Sequence, residues 1–167
     1  MSTASSFIAG LFGLSMHLGA HANCTPVLNA LDKAWQQQRL AQYDVESREQ
    51  PLGDKPMLVR INKVVWMSMG AAYERSGEPS QNPMASTLRS DAANGAAKCE
   101  ALDTASYRGQ SAKKYRVDGS LGSQSLGRVT LWISAATGLP VFHEFEKLGP
   151  GGFAWTYGDA VKDVSKK

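Results

Sequence analysis

The chain has 167 residues and a mass of 18.0 kDa, the size of one ordinary domain with a buried core. Hydrophobic residues make up 43% and charged residues 20% of the sequence, a balance that excludes an intrinsically disordered chain. The formal net charge is +3, and its basic residues are scattered apart from Lys113-Lys114 and Lys166-Lys167, so we expect solvated surface charge and no nucleic-acid partner.

Residues 1–22 contain no charged side chain and include an apolar segment from about Phe7 to Leu18. The segment ends in Ala20-His21-Ala22, which has the A-x-A form of a signal-peptidase site. This pattern predicts a signal peptide cleaved after Ala22 and a periplasmic mature chain of residues 23–167. Signal peptides normally begin with basic residues, so a start codon further upstream and a buried or membrane-anchoring N-terminal helix stay open as alternatives. The remaining chain has no apolar run long enough for a bilayer, so we expect no stable membrane insertion.

Cys24 and Cys99 are the two cysteines of the chain. In an oxidising compartment such a pair is typically bridged, which predicts a disulfide that closes a loop of about 75 residues and fastens the N-terminal helix to the sheet. A redox or metal role is disfavoured because the sequence has no Cys-x-x-Cys motif. Lipid attachment at Cys24 is also disfavoured, because Asn23 precedes it where a lipobox has a small residue.

The first element predicted in the mature chain is a helix over about 26–41. Thr25 is a suitable N-cap, and Pro26 occupies the first helical position, where its missing N–H costs least. The apolar residues that follow recur on one helical face, with the tryptophan as an anchor in the core. They are Val27, Leu28, Leu31, Ala34 and Trp35.

Strands are predicted to follow this helix, beginning with the alternating stretch 43–48. After a turn at 51–56, residues 57–69 alternate and then become densely apolar. They predict one long bent strand or two short ones, with Gly70 at the bend. Residues 76–83 are rich in turn-forming residues and predict a loop.

A short helix is predicted over 84–93, ending at Asn94-Gly95. Beyond it, glycines separate apolar stretches at the spacing of successive antiparallel hairpins. Many strands without alternating helices indicate an α+β fold with a curved antiparallel sheet, whose concave side holds the N-terminal helix and the second short helix. The strands of this second half are predicted near 99–107, 112–119, 127–135, 140–147 and 153–161.

Residue types that support catalysis are scarce in the mature sequence. His143 is its one histidine, and no serine lies in a Gly-x-Ser-x-Gly motif. Carboxylate pairs at Glu144/Glu146 and Asp44/Glu46 are equally typical of a solvated strand face. The sequence shows no metal-ligand spacing and no phosphate-binding loop. We therefore expect a non-catalytic protein without cofactor or metal, in which His143 is a hydrogen-bonded or exposed strand residue.

Apolar side chains are too numerous to point to one face of a single sheet. In the stretch 129–133, for example, Val129, Leu131 and Ile133 share one face and Trp132 lies on the other. This indicates a sheet covered on both sides or one that is concave around a pocket, and methionine-rich surface suits ligands such as acyl chains. A dry core without a ligand is the other interpretation. The candidate cavity residues are Trp35, Trp66, Met67, Met69, Tyr73, Leu131, Ile133 and Phe142.

The second half resembles the LolA/LolB-like superfamily of periplasmic lipoprotein carriers, in particular its small proteobacterial members. The resemblance covers residues 25–161 and implies a half-open antiparallel β-barrel whose helices cap a hydrophobic cavity for lipid. It implies no invariant polar site, and the missing lipobox makes a soluble LolA-like carrier the closer analogue. The motifs are Cys99-Glu100-x-Leu102, Tyr107-x-Gly109, Tyr115, Trp132-Ile133-Ser134-x-x-Thr137-Gly138-Leu139-Pro140 and Trp155-Thr156-Tyr157-Gly158-Asp159-Ala160-Val161.

Together these features predict a periplasmic binding or carrier protein for a lipid or other hydrophobic ligand, with a cavity on the order of several hundred Å³. The alternative is a cell-envelope protein–protein interaction module that has the same fold and a filled core. Its partners would dock on sheet edges or on the loop at 76–83. Uptake of a hydrophobic ligand distinguishes the two.

Overall fold

The structure is a computed structural model that describes residues 23–119, 128–146 and 149–165. The predicted signal peptide and its cleavage site at Ala22 lie outside the described residues. The helices are α1 (Thr25–Gln36) and α2 (Pro83–Ala93). The strands are β1 (Arg39–Val45), β2 (Leu58–Ile61), β3 (Val64–Met69), β4 (Ala72–Gly77), β5 (Lys98–Tyr107), β6 (Gln110–Asp118), β7 (Val129–Ser134), β8 (Pro140–Phe145) and β9 (Gly152–Tyr157), followed by a 3-10 turn at Gly158–Ala160.

All strands belong to one antiparallel sheet in the order β4-β3-β2-β1-β9-β8-β7-β6-β5. The chain builds outward from β1 to the β4 edge, crosses through α2 to the opposite edge at β5, and returns strand by strand until β9 pairs with β1. Within the described ranges β4 and β5 do not pair with each other, so the sheet is open. The predicted α+β fold, with a curved antiparallel sheet and two helices, is confirmed.

Helix α1 forms where the apolar period predicted it, but it ends at Gln36 instead of 41. The reason is that residues from Arg39 onward pair on both sides, with β2 and with β9, so strand β1 begins earlier than the predicted residue 43. Cys24 rather than Thr25 is the N-cap, and its side chain makes no capping hydrogen bond.

Residues 57–77 form two hairpins, and of the two alternatives predicted for 57–69 the structure has the two short strands, β2 and β3. Asn62 and Lys63 make the first turn with φ of 48° and 77°, the backbone of a tight hairpin that matches strand twist. Gly70 lies in the second turn. Strand β4 then extends to Gly77, so the loop predicted at 76–83 begins two residues later than expected. The prediction differs here because β4 is an exposed edge strand with polar residues.

Each face of the sheet has its own hydrophobic cluster. On the concave face, which we call the helix side, α1 and α2 pack against the strands through residues such as Leu31 and Leu88. On the opposite face the cluster centres on Trp132 and Phe142, and the C-terminal segment covers it through Val161. The predicted division of β7 between the two faces is therefore confirmed.

Two connections hold the helices in place over the sheet. The predicted disulfide between Cys24 and Cys99 is formed, and it joins the start of α1 to edge strand β5 across a Cα–Cα distance of 4.9 Å. At the other end of α1, buried Asn82 caps α2 by accepting hydrogen bonds from two of its backbone N–H groups, while its Nδ2 donates to the Leu31 carbonyl oxygen at 3.0 Å. Asn82 thus fixes the first turn of α2 against α1.

Replacing Asn82 by alanine is expected to lower the free energy of unfolding by about 2 kcal/mol. The change removes the N-cap of α2 and the buried hydrogen bond from Asn82 to the Leu31 carbonyl oxygen of α1, each contributing about 1 kcal/mol. Urea unfolding followed by tryptophan fluorescence measures the loss. Asn94→Ala, at the other end of α2 where no side-chain cap is formed, is the control and should cost less than 0.5 kcal/mol, about the value for a surface substitution. Equal losses in the two variants would contradict the prediction.

Candidate functional site

An apolar cavity of about 580 Å³ lies between the first turn of α2 and strands β2 to β4. It exists because α2 offers little volume to this part of the sheet: its buried residues are Ala85 and Leu88. The space above β3 is therefore left unfilled. The apolar residues that line it are Trp35, Leu58, Val65, Met67 and Met84.

Methionine side chains give this region an unusual exposure of apolar surface. Met67 is 38% exposed and lines the cavity, and Met69, two residues further along the same strand face, is 57% exposed. A folded domain gains by burying such side chains, so the exposure of Met67 in the cavity lining indicates a surface that another molecule covers. The flexible thioether chains of Met67 and Met84 adapt to ligands of varied shape.

A larger polar cavity of about 1060 Å³, which we call the polar cleft, adjoins the apolar one. The two share Trp35, Glu78, Pro79 and Asn82 in their linings. The cleft opens between the C-terminal end of α1, the turn at 62–63 and the loop that precedes α2. The apolar cavity and the polar cleft therefore lie side by side.

Arg60 forms part of the wall of the polar cleft and is only 5% exposed. Its Nη1 donates to the Gln37 carbonyl oxygen at 2.8 Å, and its guanidinium carbon lies 4.7 Å from the centroid of the Trp35 ring. The buried Nε has no hydrogen-bond partner. Burial lowers the pKa of Arg60 from its ordinary value, because a desolvated cation is less stable than a hydrated one.

The structure divides the eight predicted cavity residues among several places. Trp35 and Met67 line the apolar cavity. Leu131 and Ile133 lie in the helix-side cluster, and Ile133 also lines a third cavity of about 310 Å³ between α1 and strands β6 and β7. Met69 is exposed next to the apolar cavity but does not line it.

The other three predicted residues do not line the apolar cavity, because strand alternation turns them to the opposite face. They are Trp66, Tyr73 and Phe142. Sequence reasoning also missed Leu58, Val65 and Met84, which do line it. The alternation of 57–61 could have placed Leu58 on the helix side, but only the position of α2 brings Met84 to the site.

His143 is buried on the helix side among aromatic rings and is not a candidate acid or base. Its Nδ1 accepts a hydrogen bond from Trp155 Nε1 at 3.3 Å, and the rings of Phe145, Phe153 and Trp155 stand edge-on to the imidazole. Burial lowers the pKa of His143 to about 3, so the imidazole is neutral at physiological pH. Of the two predicted interpretations, the hydrogen-bonded strand histidine is the one observed.

In the part of the chain that the structure describes, no three His, Cys, Asp or Glu residues are grouped so that they could hold a metal ion. Neither α1 nor α2 is long and apolar enough to cross a bilayer.

No protein-family model matches the chain, and no curated protein matches it. Among solved structures it is similar to the crystal structure of LprF from Mycobacterium bovis, with 14% sequence identity and a TM-score of 0.36. The likeness covers 83% of this chain and 93% of LprF. A likeness of this degree identifies neither a family nor a function, so the LolA/LolB-like resemblance stays a prediction.

Proposed function

We propose that the protein is a non-catalytic periplasmic carrier that binds a lipid or another hydrophobic ligand in the apolar cavity. The observation that supports this most directly is the cavity itself, whose 580 Å³ lies within the range of about 300–1,000 Å³ typical of small-molecule sites. The Cys24–Cys99 disulfide supports an oxidising compartment such as the periplasm.

An acyl chain matches the apolar lining of this cavity, and its burial there would provide enough free energy for binding. Burial of about sixteen methylene groups contributes about 13 kcal/mol at 0.8 kcal/mol each. Loss of translational and chain freedom offsets about 5 kcal/mol of this. The remaining 8 kcal/mol corresponds to a dissociation constant near 1 μM, which is tight enough for loading and weak enough for release.

The alternative, an interaction module that uses its sheet edges, has less support from the structure. Edge strand β4 exposes Glu74 and Arg75, and edge strand β5 exposes Lys98, Glu100 and Asp103. Charged residues on edge strands oppose pairing with another chain. The apolar surface of the molecule is instead exposed at the cavity, around Met67.

Replacing Met67 by glutamate is expected to weaken uptake of an uncharged hydrophobic probe, N-phenyl-1-naphthylamine, by at least about tenfold. The reason is that a carboxylate must be desolvated to share an apolar cavity with the probe. Probe fluorescence in a titration of the purified protein measures the dissociation constant.

Met69→Glu is the matched control, because it introduces the same charge two residues away on the same strand face, outside the cavity lining. It should leave the dissociation constant within about twofold of the wild-type value, which is the usual range for a surface change. Absence of probe uptake by the wild-type protein, or equal losses in the two variants, would contradict the proposed function.

A further inference from the structure

Arg60 is a buried cation that lacks an anionic partner within the described ranges of the chain. A guanidinium that is almost wholly removed from water normally pairs with a carboxylate, because the cost of desolvating an unpaired charge is high. Arg60 instead has one backbone carbonyl, one aromatic face and an unpartnered Nε, all at the wall of the polar cleft. Its environment is that of a binding group whose partner is a ligand.

The carboxylates that line the cleft do not supply this partner. Asp32 pairs with Arg89 at 2.7 Å, which joins α1 to α2. Glu78 pairs with Arg75 on the adjacent edge strand. Arg89 also lines the cleft but is neutralised by Asp32, so the cleft keeps a net positive charge at Arg60 and Lys63, neither of which forms an ion pair within the described residues.

Lys63 lines the polar cleft and has a left-handed backbone conformation that normally favours glycine. With φ of 77° it occupies the second central position of the β2–β3 turn, where glycine is the usual residue because a side chain is strained there. Asn62, at φ of 48°, is a residue type that tolerates this region, but lysine is not. Backbone strain of this kind is often found where a side chain is needed for function.

A purely structural role for Arg60 is the competing explanation. Its bond to the Gln37 carbonyl oxygen places a positive charge at the C-terminal end of α1, where the helix dipole favours it. That role explains the hydrogen bond of Nη1. It does not explain why the buried Nε has no partner or why Lys63 occupies a strained backbone position in the same cleft. The two roles also differ in their consequences: a structural arginine affects all ligands alike, whereas a ligand-binding arginine discriminates by charge.

We propose that the ligand is an anionic amphiphile, whose carboxylate or phosphate head group lies in the polar cleft against Arg60 and Lys63 while its chain fills the apolar cavity. This inference rests on the proposed function. It follows from the adjacency of the two cavities, which share Trp35, Glu78, Pro79 and Asn82 in their linings, and from the unpaired cations of the polar cleft. Guanidinium groups bind carboxylate and phosphate through paired, charge-assisted hydrogen bonds.

The test compares three ligands that have the same twelve-carbon chain: dodecanoate, dodecyl phosphate and dodecanol. Displacement of N-phenyl-1-naphthylamine gives their dissociation constants at pH 7.5. The wild-type protein should bind at least one of the anions about tenfold more tightly than the alcohol, the range expected for one charge-assisted hydrogen-bonded pair. Arg60→Met should reduce this ratio to about two, the preference that Lys63 alone provides, while leaving dodecanol binding unchanged.

Lys63→Gly is a second variant that keeps the fold, because glycine suits the backbone at that turn. It should reduce the preference for the anion about twofold, less than the roughly fivefold reduction in Arg60→Met, since an exposed cation interacts more weakly than a buried one. Lys98→Met, which removes an exposed positive charge from the far edge strand, is the control and should leave the ratio unchanged.

The outcomes separate this inference from the proposed function. If the wild-type protein takes up the neutral probe but binds anions and alcohol equally, the inference is overturned and the proposed function stands. An Arg60→Met variant that weakens all three ligands alike would assign Arg60 a structural role and overturn the inference. Displacement of dodecanoate by equal concentrations of inorganic phosphate would identify a small-anion site instead. If the probe itself is not taken up, both fail.

Discussion

Removal of the Cys24–Cys99 crosslink, through the double substitution Cys24→Ala/Cys99→Ala, is expected to lower the free energy of unfolding by about 4 kcal/mol. The bond spans a sequence separation of 75 residues, and in the chain-entropy model a loop of that length restricts the unfolded ensemble by about this amount. A domain of this size has a total stability of about 5–15 kcal/mol, so the loss is a large fraction of it. Urea unfolding measures the difference.

Reduction of the wild-type protein provides the control for this prediction. It breaks the crosslink but keeps both sulfur atoms in their buried positions, so it separates chain entropy from packing. The reduced wild-type protein and the double variant should unfold at nearly the same urea concentration. A loss below about 1 kcal/mol in both would show that the unfolded chain is already restricted by other means.

Acidification from pH 7.5 to 4.5 is expected to cost the protein about 3 kcal/mol of stability through His143 alone. Burial lowers the pKa of His143 in the folded protein to about 3, whereas an unfolded histidine has a pKa near 6.5. The unfolded chain therefore binds the proton first, and stability falls as the pH falls through 6.5 and continues to fall until about pH 3.

The variant His143→Gln isolates this effect from the other titrating groups. Glutamine does not titrate, and its side-chain oxygen is an acceptor for the Trp155 Nε1–H group that His143 Nδ1 accepts in the wild-type protein. Urea unfolding at several pH values should give a shallower dependence below pH 6.5 for the variant. Parallel curves for the two proteins would mean that His143 is not held neutral by the fold.

The strands of the second half could be predicted closely from the sequence, because glycines mark their turns and their apolar residues are dense. Gly109 and Gly138, for example, have positive φ at the β5–β6 and β7–β8 connections, where other residues are strained. Helix α2 could be predicted for a similar reason, since Asn94-Gly95 ends it as expected. In these places local chemistry and tertiary structure agree.

The first half was harder to predict because the bounds of its strands depend on contacts between distant parts of the chain and not on local sequence patterns. The turn between β2 and β3 uses Asn62 and Lys63 without a glycine, so the sequence left one bent strand and two short strands as alternatives. Strand β4 is polar because it is an edge strand, so no apolar alternation marked it, and its last two residues fell within the predicted loop at 76–83. The start of β1 at Arg39 depends on pairing with residues far along the chain.

The position of the cavity depends on the docking of α2, for which the sequence has no local signal. Successive side chains of a strand point to opposite faces, so Trp66 and Met67 of β3 lie on different faces of the sheet. This alternation could have divided the candidate residues between the two faces. Which helix-side residues stay uncovered depends on how far the small side chains of α2 reach over the sheet. That distance follows from the whole fold.

The central pairing of β1 with β9 joins residues that are far apart in the sequence, such as Leu40 and Tyr157. During synthesis β1 is made well before β9, so one side of this strand has no native neighbour until β9 has also been made. Pairings so distant in sequence make folding slow and expose unpaired strands to aggregation in the meantime. A chain truncated before Gly152 would leave β1 as an unprotected edge in the middle of the sheet.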